Sequence, residues 1–152
     1  VRGAVSPEIA SEVVGIWTNS AGLDFDEAKR RIQELVIIVR NDSQRIVGVS
    51  TASKTFLKQI QNYVYAYRCF ILPEFRAPAL DTQMIVKSKG FLEKVSLEDH
   101  YNKCVGIMVV VQNEVLKLHW RQAIWPGANM MYIGNAPNGD HIRISYFKGA
   151  RI

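Results

Sequence analysis

Apolar positions recur along this chain with two periods, and the alternation between them lays out its elements. Ile9, Val13 and Ile16 fall on one helical face, with Val14 and Trp17 at its side. Ser6 stands before them as an N-cap, Pro7 takes the first helical position, and the helix should stop before Gly22. A second helix is signalled at Asp24, whose spacing to Glu27 is that of a capping box. Phe25, Ala28, Ile32 and Leu35 form its apolar face; Lys29, Arg30 and Arg31 form a solvated one favourable to the helix C-terminus. The run Leu35–Arg40 predicts a buried strand, residues 41–44 a turn, and Ile46, Val47 and Val49 a second strand of a hairpin. Residues 51–61 are polar enough to continue that strand or to loop over the sheet.

The stretch 63–94 reads as strand, turn and helix. Tyr63, Val64, Tyr65, Tyr67, Phe70 and Ile71 suit a pleated surface, and Pro73 ends the strand. Pro78 is preset for a first helical turn, and Leu80, Met84, Phe91 and Val95 then recur at helical spacing, widened by Ile85 and Leu92. Met84 and Phe91 should therefore face the sheet while Lys87 and Lys89 lie in water. A polar connection over residues 96–103 leads to Val105–Val111, the most strongly β stretch. Asn113 opens a helix carrying Leu116, Trp120 and Ala123, with Ile124 beside it, ended by Trp125-Pro126-Gly127. Residues 130–133 predict a strand, 135–139 a loop, and 141–147 a last strand with Ile142, Ile144 and Tyr146 on one side. With a remnant strand at Val1–Val5, the order is (β)ααβββαβαββ, in one domain spanning 1–152.

Composition changes this picture little. The 152 residues are 48% apolar and 22% charged, which is ordinary globular composition. No apolar run approaches a membrane span, so no membrane partner is expected. The start at Val1 without methionine suggests a processed or trimmed end, and no signal peptide is visible. Cys69 and Cys104 show no metal-ligand spacing and read as buried thiols, which places the protein in the cytoplasm. His100, His119 and His141 are too scattered for a metal site. The net charge of +5 suits an anionic ligand, but the basic residues are dispersed, so nucleic acid is not expected as a partner.

Phe70-Ile71-Leu72-Pro73-Glu74-Phe75-Arg76 resembles the strand end and turn of the GNAT acyltransferase superfamily, roughly Tyr-Val-x-Pro-Glu-Tyr-Arg. The element order is similar to that family's across nearly the whole chain. The resemblance implies an α/β (α+β) fold, a mixed and mostly antiparallel twisted sheet flanked by helices, with strands 63–72 and 105–111 parallel neighbours. It implies acetyl-CoA or another acyl-CoA as cofactor, its diphosphate held by backbone amides after a [Gln/Arg]-x-x-Gly-x-[Gly/Ala] segment. Phe70, Ile71 and Leu72 would line the pantetheine arm, and Arg76, Ala77, Ala79, Leu80, Asp81 and Thr82 would meet the phosphates. Arg76 keeps the first motif position, whereas Ala79 and Asp81 replace the two glycines and Pro78 removes an amide.

In this family an amine attacks the thioester directly, and a tyrosine after the fifth strand often protonates the leaving thiolate. Trp120 stands at that position, and an indole N–H is no proton donor near neutrality. His119 beside it, or Tyr132 from a later strand, could take the role; equally, His119 could be a surface histidine and Tyr132 and Tyr146 core tyrosines. Glu74 is either a base or an exposed turn residue. Arg76 either binds phosphate or pairs with Glu74 or Asp81. Two functions follow. One is an N-acyltransferase that moves an acyl group from acyl-CoA, or an acyl carrier protein in its place, to a small-molecule or peptide amine. The other is a catalytically inactive GNAT-fold binding or assembly module. The oligomeric state is not legible.

Overall fold

The computed structural model describes residues 5–99, 101 and 103–152. The remnant strand at Val1–Val5 rests on residues 1–4 and, like His100, lies outside the described residues. Among the described residues, seven strands form one sheet: β1 Leu35–Arg40, β2 Ile46–Leu57, β3 Asn62–Ile71, β4 Gly106–Val111, β5 Ile124–Trp125, β6 Met130–Asn135 and β7 His141–Tyr146, in the order β1-β2-β3-β4-β7-β6-β5. Four helices accompany them: α1 Pro7–Ser20, α2 Phe25–Arg31, α3 Pro78–Glu98 and α4 Glu114–His119. The element order is the expected one plus the two-residue β5. Two compact units divide the chain, Val1–Ser53 with Arg68–Met84 and Lys54–Tyr67 with Ile85–Ile152.

In the first unit, Ser6 caps α1 by accepting from the Ile9 amide at 3.3 Å. The Asp24 carboxylate caps α2 through the Asp26 and Glu27 amides. The reciprocal arm of the expected capping box is taken elsewhere, because Glu27 pairs with Arg30 and Arg31 at 2.8 and 2.7 Å. These pairs hold the Glu27 carboxyl down at about 2, chiefly through the Arg30 hydrogen bond. The helix ends after seven residues. Ile32 then lies in a 3-10 turn and Leu35 in β1, so the apolar face assigned to α2 is shared among three elements and Phe25 is exposed. Val13, Val14, Trp17, Ala28, Leu35, Ile46 and Val49 make this unit's core. Met84 is buried as expected, its sulfur 3.6 Å from Cys69 Sγ. Cys69 itself is exposed, contrary to the reading of two buried thiols; Cys104 is buried.

Residues 51–57 continue β2, and the turn over 58–61 leads directly into β3, too short a link for anything but antiparallel neighbours. The second unit holds the parallel ladder, Tyr65↔Ile107 and Ala66↔Met108, so β3 and β4 are neighbours as the resemblance implied. β4 and β7 pair antiparallel from Gly106↔Tyr146 to Val111↔His141. Any Cβ at Gly106 would lie 2.5 Å from the Ser145 carbonyl, so only glycine fits this crossing. Leu57, Val64, Val105, Met108, Ile142 and Ile144 form the core, with Tyr146 packed against it.

Two expectations fail in this unit. The buried face of α3 runs through Ser88, Leu92 and Ser96, four residues apart, and Phe91 is 38% exposed. Lys89 is half-buried and donates to Ser145 Oγ at 2.9 Å, while Ser96 donates to the Cys104 carbonyl. Serines on the inner row, Ser96 with its hydroxyl satisfied by a carbonyl of the following segment, were invisible to a purely apolar stripe. The second failure is α4, which has only six residues, capped by Asn113. Trp120 lies past its end, and Ile124–Trp125 pairs with Met130 and Met131 as β5 instead of continuing the helix. Among the described residues no helix is long and apolar enough to cross a membrane.

Candidate functional site

The turn after β3 lies wholly in the first unit. Ile71 and Leu72 are buried, and the Leu72 amide donates to the Val47 carbonyl at 2.9 Å. Residues 73–75 form a 3-10 turn closed by the Phe75 amide on the Leu72 carbonyl. Arg76 folds back over its own strand: Nε donates to the Ile71 carbonyl at 3.1 Å and the guanidinium lies 5.9 Å from the Phe70 ring centre. Glu74 is exposed and pairs not with Arg76 but with Arg45, at 3.8 Å. At the start of α3 the amides of Leu80 and Asp81 both close on the Ala77 carbonyl. Asp81 is solvent-exposed, yet burial of part of its surroundings pushes its carboxyl above the ordinary value, and the Arg76 charge offsets this only in part. Water limits the size of that shift. Ala77 and Ala79 are exposed, and Leu80 and Thr82 half-buried.

For a diphosphate this turn supplies little. Pro78 has no amide, two further amides are turned inward, and Asp81 presents a like charge. Arg76 is the one cation in residues 70–82.

The proton-donor candidates belong to the second unit. His119 ends α4, exposed. Tyr132 lies on β6, 44% exposed, its hydroxyl donating to Asn135 Oδ1 at 2.9 Å and its ring 5.3 Å from that of His141. The Trp120 carbonyl accepts from Trp125 Nε1 at 2.8 Å and from Arg143 Nη2 at 3.2 Å. Tyr146 packs into the core, as one of its two readings held. Among the described residues no group of histidine, cysteine and acidic side chains can hold a metal ion.

Sequence reading passed over Arg143, the residue that organises this region. It is 1% exposed on β7. Its guanidinium donates to the carbonyls of Trp120, Gln122 and Met130, lies 4.3 Å from the Trp125 ring centre and reaches the Tyr132 ring at 5.9 Å. Nε has no partner among the described residues, and burial lowers the pKa of the group. Its place on the polar side of an alternating strand suggests exposure, and the signal that could have found it is the pair of tryptophans about 20 positions upstream, Trp120 and Trp125.

No family model matches the chain, and no curated protein matches it. Among solved structures, it is similar to an acetyltransferase of the GNAT family from Bacillus cereus, with 19% identity over 98% of this chain and 96% of that one, at a TM-score of 0.54. It also resembles the KacTA–DNA complex, with 13% identity over 87% of this chain and 77% of that one, at a TM-score of 0.49. This second likeness is too weak to add to the fold assignment. The coverage of nearly both whole chains, the mostly antiparallel sheet and the parallel β3–β4 pair carry one conclusion: the chain has the GNAT fold.

Proposed function

We propose that this protein transfers an acyl group from a pantetheine-linked thioester, acyl-CoA or an acyl carrier protein, to a small-molecule or peptide amine. The observation that supports it is the Pro73–Phe75 turn with Arg76, placed between a strand that runs parallel to β4 and the helix α3. In the reaction the acceptor nitrogen attacks the thioester carbon, a C–N bond forms and the C–S bond breaks. The nitrogen loses its proton to a base, and the thiolate takes one up. Tyr132 and His119 are the side chains proposed to supply that proton, a task Trp120 cannot perform. Arg76 would leave the Ile71 carbonyl to meet a phosphate, joined by the Ala77 and Ala79 amides and the Thr82 hydroxyl. The backbone of Phe70–Leu72 would line the pantetheine arm, although the Leu72 amide is already engaged.

A second reading, an inactive binding or assembly module, is favoured by Pro78, Asp81 and the exposed Trp120 at the position of the usual tyrosine. Calorimetric titration at low salt with CoA, acetyl-CoA, a long-chain acyl-CoA and an acyl carrier protein separates the two. Wild type should bind weakly. Asp81→Gly should bind CoA several-fold more tightly, since removing a partly screened like charge is worth on the order of 1 kcal/mol. Arg76→Ala should bind less tightly. No binding of any donor by any of the three proteins would leave the module reading as the better one.

A further inference from the structure

We propose that the protein self-associates through the outward face of α3, as a two-fold dimer of antiparallel helices. Lys87, Phe91, Lys94 and Glu98 follow one another at intervals of four, three and four residues, and all four are exposed. That spacing is the seam along which helices pack at a shallow angle. Val86 and Leu97 flank the seam and are exposed as well, Leu97 at 63%. Gly90 sits beside it in the helix interior, where glycine costs about 1 kcal/mol relative to alanine. Among the described residues nothing lies within 4 Å of the place a Cβ would occupy there, so none of them requires a glycine. A second helix approaching closely at this point would have room there.

The charges select the occupant and its direction. Placed antiparallel about a point between Leu92 and Glu93, Lys87 meets Glu98 of the second copy, and Phe91 meets Lys94 of the second copy. Each contact then occurs twice. The two lysine–glutamate contacts are ion pairs, and the other two lay an ammonium and its stem over a ring. A parallel pair would set Lys87 on Lys87, Lys94 on Lys94 and Glu98 on Glu98, all repulsive. Within one chain Lys87 and Glu98 are eleven residues apart, about 16 Å along the helix axis, too far to pair. Among the described residues neither enters an ion pair. One helix per copy gives an interface at the small end of the specific range, so the dimer is weak, with a dissociation constant on the order of 100 μM.

Sedimentation equilibrium of the full chain at low salt tests this, with circular dichroism to confirm that each variant is folded. Wild type should show a monomer–dimer equilibrium that weakens as salt is added. Lys87→Glu and Glu98→Lys should each weaken it about tenfold, since each turns two symmetric attractions into repulsions. The double variant Lys87→Glu/Glu98→Lys should recover wild-type association, because the swapped charges meet again across the two-fold. A wild type that stays monomeric to about 1 mM overturns the proposal. So do single variants that dimerise like wild type, or a double variant as weak as the singles.

Discussion

Replacing Arg143 by methionine keeps an unbranched stem of similar length and removes the guanidinium. Three carbonyls then lose a donor. Met130 is fully buried, so its carbonyl is stranded away from water at a cost of about 1–3 kcal/mol. The carbonyls of Trp120 and Gln122 belong to exposed residues and can turn to water, so each costs only about 0.5–1 kcal/mol. Loss of the stacking on Trp125 adds about 0.5–1 kcal/mol. Against these stands relief from holding a cation that burial already disfavours. The expected net destabilisation is about 2–4 kcal/mol. Urea melts followed by tryptophan fluorescence and by near-ultraviolet circular dichroism would measure it, since Trp125 lies against the guanidinium. Hydrogen exchange should show the Tyr132 amide, bonded to the Ala123 carbonyl at 2.8 Å, among the groups that lose protection. Arg143→Lys should be at least as damaging, because one ammonium keeps the buried charge but cannot span three carbonyls on two segments. A loss below about 0.5 kcal/mol for methionine, or wild-type stability for lysine, would refute the assignment of Arg143 as the residue holding 120–132 together.

Leu92→Ala should cost about 2–5 kcal/mol and Phe91→Ala, in dilute protein, less than about 1 kcal/mol. Denaturant melts returning the opposite order would put the wrong face of α3 inside. Asp81→Asn should change how stability depends on pH. The folded chain binds the Asp81 proton more tightly than the unfolded chain does, so this group's contribution is present at low pH and lost as pH rises through its raised value. Wild type should therefore lose stability relative to Asp81→Asn from about pH 4 towards neutrality; melting temperatures with a gap constant across that window would contradict it.

Local signals carried most of the element map. Ser6-Pro7 and Asp24 set helix starts because a cap acts within three residues of the chain. Pro73 and Pro78 bracketed the turn because a proline ring restricts its own backbone wherever it occurs. The strands 63–72 and 105–111 were expected as parallel neighbours from the family resemblance, and the helix between them is the long crossover such a pair needs. The same holds for the candidate donor turn, whose residues 70–82 are contiguous, so their proximity needed no folding to establish.

What spacing could not reveal depends on partners distant in the chain. The inner row of α3 contains Ser88 and Ser96, and only the Cys104 carbonyl, supplied by another segment, makes Ser96 a core residue. The end of α4 at His119 and the strand at Ile124–Trp125 look arbitrary until Met130 and Met131 pair with them and Arg143 draws in the carbonyls of Trp120 and Gln122. Amino-acid order thus decided this protein's caps, turns, strand propensities and the residues of the turn over 70–82, all set by interactions within a few residues. The tertiary structure alone decided which polar side chains go inside, because a buried arginine or serine is tolerated only where distant backbone completes its hydrogen bonds.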